Sequence, residues 1–132
     1  MSSVGGVLET SLYVEDLPRS IQFYESIFGF EKVFSDERLC ALIVGPQQLL
    51  LLFKKGASKD RTVTPPHDGS GVLHVAFSIA ASALEPWERQ LLANGVTIES
   101  KHSWQRGGVS LYFRDPDRHL VELATPGVWS IY

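Results

Sequence analysis

Val72-Leu73-His74-Val75-Ala76-Phe77-Ser78-Ile79 alternates from end to end. Leu73, Val75, Phe77 and Ile79 fall on one face; His74, Ala76 and Ser78 fall on the other. A period of two with one apolar and one mixed face is the pattern of a half-buried strand. Val7 to Val14 reads the same way. There Leu8, Leu12 and Val14 oppose Glu9, Ser11 and Tyr13. Val7-Leu8-Glu9 thus stands where Val72-Leu73-His74 stands.

Outward from these two strands the element order repeats. After the first, Asp16-Leu17-Pro18 supplies an acidic cap and an early proline. Leu17, Ile21, Tyr24 and Phe28 follow at helical spacing, and Gly29 is the stop. Strands are expected at Glu31 to Ser35, Leu39 to Val44 and Gln48 to Phe53, with Gly45-Pro46 turning the chain between the last two. After the second, Ser82 and Glu85 make a capping-box pattern, and Leu84, Trp87 and Leu91 make a helical stripe ended by Asn94-Gly95. Strands are expected at Thr97 to Ser103, Val109 to Arg114 and Leu120 to Ala124, the last two joined by Asp115-Pro116-Asp117. Lys54 to Gly71, with Pro65-Pro66, His67 and Gly69, reads as the loop between the halves. The expectation is one domain, residues 1–132, of two modules at about 6–54 and 72–126. Each sheet can turn its apolar face to its own helix. The opposite faces, carrying Glu9 and His74, would then line a concave, partly polar cavity.

Bulk properties narrow the function classes. A chain of 132 residues has room for one core. Its net charge of -3, with no basic run, argues against a nucleic-acid partner. The lone Cys40 excludes an intramolecular disulfide framework and fits a reducing compartment. Its place between Leu39 and Ala41 predicts a buried, inert thiol. No secretory leader and no membrane-length apolar run is visible, so a cytoplasmic location is expected. There is no phosphate-cradling glycine loop and no dinucleotide fingerprint.

Leu12-Tyr13-Val14-Glu15-Asp16-Leu17-Pro18-Arg19-Ser20, followed by Phe23-Tyr24 and Phe28-Gly29-Phe30, resembles the opening module of vicinal-oxygen-chelate proteins. These form the glyoxalase, bleomycin-resistance and extradiol-dioxygenase superfamily. Leu73-His74-Val75-Ala76-Phe77 resembles the start of its second module. Tyr112-Phe113-Arg114-Asp115-Pro116-Asp117, then His119-Leu120-Val121-Glu122-Leu123-Ala124-Thr125-Pro126, resembles its close. The resemblance covers nearly the whole chain. It implies an α+β fold in which paired βαβββ modules form a cup-shaped, eight-stranded mixed sheet. It also implies a homodimer whose two sites draw residues from both subunits.

The family places metal ligands on the first strand of each module and on a last strand. Carried onto this chain, those positions are Glu9, His74 and Glu122. Glu9 departs from the usual histidine. Glyoxalase I proper also has a carboxylate on the last strand of the first module; here Leu49 to Phe53 offers none, which argues against that enzyme. One imidazole and two carboxylates suit Mn²⁺, Fe²⁺ or Mg²⁺, with Zn²⁺ and Ni²⁺ as alternatives. Glu9 raises the ligand charge and so weakens the ion as an acid. Without the resemblance, each of the three also reads as an ordinary solvent-facing strand residue.

Tyr112, on the strand before Glu122, is a candidate hydrogen-bond donor to a small-molecule substrate, or a core tyrosine. Trp104 and Arg106, in the turn Trp104 to Gly108, are candidate substrate contacts at the cavity mouth, or parts of a plain hairpin turn. His67 is a loop histidine or a proton shuttle, and His102 and His119 show no partner pattern. Arg118 stands where the family often has a turn glycine, which implies a different turn geometry. The first functional expectation is a metal-dependent enzyme on a small oxygen-rich substrate: lyase or isomerase, thiol transferase, or dioxygenase. The alternative is a metal-free protein that sequesters an aromatic or cationic drug, for which Trp104, Tyr112 and Trp129 speak. A third is a domain that keeps the fold without chemistry.

Overall fold

The computed structural model describes residues 1–60 and 63–132, and its elements run strand, helix, three strands, twice over. It divides into two compact units, Met1–Gly71 and Val72–Tyr132. Two residues of the expected inter-module loop, 61 and 62, lie outside the described residues.

In the first unit, β1 (Glu9–Val14), α1 (Leu17–Phe28), β2 (Glu31–Ser35), β3 (Leu39–Gly45) and β4 (Gln48–Lys54) form a mixed sheet in the order β1-β4-β3-β2. β1 runs parallel to β4; the other pairs are antiparallel. The helix begins as its sequence predicts. Asp16 Oδ1 accepts the Arg19 backbone N–H at 3.1 Å, and Gly29 closes the helix at φ 69°. β4 reads as an unbroken apolar run because both of its faces are covered. Leu50 and Leu52 share one face with Leu12, Cys40 and Leu42, all essentially inaccessible. Leu51 and Phe53 share the other with Leu39 and Ala41, against Tyr13 and Leu49. Each fully buried leucine contributes about 1.5–3 kcal/mol. Cys40 is buried, as expected, and burial pushes its thiol up.

The second unit repeats the topology. β5 (His74–Ser78), α2 (Leu84–Ala93), β6 (Ser100–Ser103), β7 (Val109–Arg114) and β8 (Leu120–Ala124) give the sheet order β5-β8-β7-β6, with β5 parallel to β8. Leu91, Leu111, Phe113, Val121 and Leu123 are fully buried in this unit. The chain is therefore α+β, with paired βαβββ modules that build two four-stranded mixed sheets.

Two local expectations change. The Ser82–Glu85 capping box does not form. Ala81–Ala83 is a 3-10 turn, and α2 starts at Leu84 with no side-chain cap. The Ala83 N–H donates to Ala80 O at 2.9 Å, so backbone tightening takes the place of the serine cap. β6 is shorter than its alternation suggests, because only Ser100–Ser103 finds a ladder partner on β7. Arg118, in the turn before β8, adopts φ 69°, the left-handed conformation that a glycine would take without strain.

Candidate functional site

Parallel pairing of β5 with β8 sets His74 opposite Leu120 and Ala76 opposite Glu122. His74 and Glu122 thus project from one face of the second sheet, one step apart. His74 Nε2 lies 3.2 Å from Glu122 Oε1. His74 Nδ1 lies 2.9 Å from the Leu120 carbonyl oxygen. That oxygen can only accept, so Nδ1 carries the proton and donates it. In the neutral ring, Nε2 then turns a lone pair towards a carboxylate oxygen. Two acceptors at that distance are held together by a proton or a cation between them. The arrangement fits a divalent ion, whose histidine ligands are oriented by a bond from the second ring nitrogen.

Glu122 is only 7% exposed, and its other oxygen is also engaged. Ser110 Oγ donates to Glu122 Oε2 at 2.6 Å, and Trp104 Nε1 donates to Ser110 Oγ at 2.8 Å. This donor chain keeps one carboxylate oxygen aimed at the imidazole. Tyr112 is the ladder partner of Glu122. Burial first, and then the Glu122 charge, push the Tyr112 phenol up against a Ser110 hydrogen bond that lowers it. The group stays a donor through neutral pH.

His74, Glu122, Tyr112 and Trp104 line one cavity of about 300 Å³ within the second unit. Phe77, Trp129 and Tyr132 add aromatic surface, and Ala124 and Val128 add aliphatic surface. Arg106 is exposed in its turn and is not among the lining residues. A larger depression of about 680 Å³ lies in the first unit between α1 and β2, but none of the candidate residues lines it.

Glu9 opens β1 in the first unit, opposite Leu49, and is exposed. Among the described residues no group of three or more His, Cys, Asp or Glu side chains converges as a metal cluster. The remaining histidines have separate roles. Tyr13 Oη and His67 Nδ1 are hydrogen-bonded at 2.7 Å, with the His67 ring edge-on to Phe53. The His102 ring stands edge-on to Trp104 at 4.5 Å. His119 is wholly buried, and its Nδ1 accepts the Leu73 backbone N–H at 2.9 Å.

Sequence reasoning missed Ser110, which holds Glu122, and the role of His119, which holds the residue before His74. The signal for Ser110 was present, since alternation over Val109–Arg114 puts it on the face of Tyr112. For His119 there was none: its partner is the Leu73 backbone amide, just ahead of β5.

Among the described residues no helix is long and apolar enough to cross a membrane. The solved structure of a lactoylglutathione lyase from Agrobacterium tumefaciens superposes with a TM-score of 0.92 at 29% identity, over 98% of this chain and 99% of that one. The metallothiol transferase FosB of Bacillus licheniformis is 32% identical over 127 residues, 94% of this chain and 77% of the relative. The glutathione transferase FosA of Serratia marcescens is 31% identical over 113 residues, 86% of this chain and 75% of the relative. The profile of the Glyoxalase/Bleomycin resistance protein/Dioxygenase superfamily matches residues 6–123. By its repeated βαβββ order and by that match over most of its length, the chain belongs to this superfamily.

Proposed function

We propose that the chain is a metal-dependent enzyme that acts on a small oxygen-rich substrate, with His74, Glu122 and Glu9 as the metal ligands. The observation that carries this reading is the imidazole–carboxylate pair at 3.2 Å, with each partner locked from behind by Leu120 O or Ser110 Oγ. Such locking serves a ligand pair better than a surface ion pair, whose two side chains need no fixed orientation. A divalent ion bound there would act as a Lewis acid towards a substrate oxygen. Tyr112, protonated at neutral pH, would donate a hydrogen bond to a second substrate oxygen. The relatives are named as a thiol transferase, a glutathione transferase and a lyase. Those names favour addition or lyase chemistry over dioxygenation.

The family resemblance points to a homodimer whose sites draw residues from both subunits. The His74–Glu122 pair lies in the second unit, and Glu9 stands exposed at the start of β1 in the first. In this reading Glu9 of a second copy completes each site. The expected result is about one divalent metal per chain in protein purified without chelator, lost in His74→Ala, Glu122→Ala and Glu9→Ala. A mixture of the Glu9→Ala and His74→Ala proteins should regain metal, because a mixed dimer contains one intact set. Wild-type protein that takes up no Mn²⁺, Fe²⁺, Mg²⁺, Zn²⁺ or Ni²⁺ would sink the enzyme reading. The aromatic lining of the cavity would then favour metal-free binding of a small apolar molecule.

A further inference from the structure

We infer that the substrate carries a flat, ring-sized apolar group next to its metal-seeking oxygens, and that Trp129 is the residue that selects it. The inference rests on the metal-site reading above and adds the substrate class.

The cavity lining is of two kinds. His74 and Glu122 supply donors for an ion, and the Tyr112 phenol lines the same cavity. The rest of the lining is mainly ring and aliphatic surface, with the Ser78 hydroxyl and the Trp129 indole N–H besides, and two of its polar handles are already used. The Trp104 indole N–H is given to Ser110, and the Tyr132 hydroxyl donates to Ile79 O at 2.8 Å. Those two side chains therefore offer a ligand mainly their carbon surfaces. A pocket of about 300 Å³ has room for a ring and a short polar group.

Trp129 is placed there by a folded segment. The Gly127 N–H donates to Tyr132 O at 2.8 Å and the Tyr132 N–H to Trp129 O at 3.2 Å, so residues 127–132 close on themselves. The approach needs two glycines. A Cβ on Gly127 would collide with the backbone of Gly108, and one on Gly108 with the backbone of Gly127. Pinned in this way, Trp129 lines the cavity while remaining 72% exposed. An indole held at a rim with most of its surface in water has apolar area left to bury when a ring enters.

Lactate and mandelate test this. Both offer the same hydroxyl–carboxylate pair to a metal; one carries a methyl group and the other a phenyl. Metal content of the Mn²⁺-loaded protein is measured first, then the affinity of each acid by calorimetry. The expected result is mandelate at least about tenfold tighter than lactate in the wild type. Trp129→Ala should bring the ratio to about threefold or less with metal content unchanged, and Trp129→Phe should keep most of it. Metal-loaded protein that binds both acids equally, or whose ratio survives Trp129→Ala, would overturn the inference and leave the metal site standing. Wild-type protein without metal would overturn both.

Discussion

His119 Nδ1 accepts the backbone N–H of Leu73 at 2.9 Å, one residue before His74, while the Leu120 N–H donates to Leu73 O at 2.8 Å. The entry to β5 is thus braced by His119 and Leu120, the two consecutive residues at the entry to β8. Asp115 Oδ1 fixes the brace in turn by accepting the His119 N–H at 2.9 Å. His119→Ala would leave the Leu73 amide without its acceptor and open a hole in a closed interior. It should cost about 2–4 kcal/mol, read from urea unfolding. His74 would lose its fixed starting point, so divalent-metal affinity should fall as well.

Ser110→Ala isolates the bond behind the carboxylate. It removes the 2.6 Å donor to Glu122 and leaves Trp104 Nε1 without its acceptor. Metal affinity should drop about 10–100-fold, as for other residues that orient a ligand. Ser110→Thr keeps the hydroxyl and should retain most of it. A metal titration of the two variants that gives equal, wild-type affinities would show that Glu122 needs no orientation.

Glu99 makes a two-pronged pair with Arg114, Nε to Oε1 at 3.1 Å and Nη2 to Oε2 at 2.9 Å. The guanidinium holds the carboxyl below its usual range. A carboxyl whose folded pKa is depressed adds stability above its unfolded pKa of about 4.3, and that stability is lost as pH falls through the lower folded value. Glu99→Gln should therefore melt below the wild type at pH 7. The gap should close as pH falls through that lower range. The effect should be small and salt-sensitive, since both groups meet solvent.

Arg118 at φ 69° offers a stabilising change. A side chain in the left-handed region costs about 1–2 kcal/mol, part of which a glycine gives back as entropy of the unfolded chain. Arg118→Gly should gain about 0.5–1 kcal/mol and raise the melting temperature by a few degrees. A thermal melt unchanged or lowered would mean that the Arg118 charge near Glu99 matters more than backbone strain.

Much of the fold was legible because its signals are local. Leu12 and Val14 alternate with Tyr13, Asp16 caps α1, and Gly29 ends it. The Ser82 cap misled because the same residues also allow a 3-10 turn, and the choice depends on how the chain enters α2. The His74–Glu122 pair was legible only through the resemblance. On pattern alone a strand glutamate belongs in solvent, and Glu122 is buried because Ser110 and His74 make burial tolerable. The Tyr13–His67 bond was not legible, because it joins a strand to a loop that sequence leaves without a fixed course. The close approach of that loop, where a Cβ on Gly69 would strike the Tyr13 ring, is equally a matter of tertiary placement.

The repeated ladder has a consequence for redesign. Glu9 faces Leu49 and Ser11 faces Leu51 in the first repeat; His74 faces Leu120 and Ala76 faces Glu122 in the second. Position 51 is therefore the backbone address of Glu122, and position 9 that of His74. Glu9→His with Leu51→Glu would write the same two letters on the first sheet. The obstacle is not geometry but surroundings. Leu51 is 7% exposed among Leu39, Ala41 and Phe53, an apolar surround for a carboxylate. Leu39→Ser is the natural companion change, because Leu39 is the ladder partner of Phe53 as Ser110 is of Ala124. One scaffold thus holds a paired imidazole and carboxylate and a blank copy of their backbone addresses.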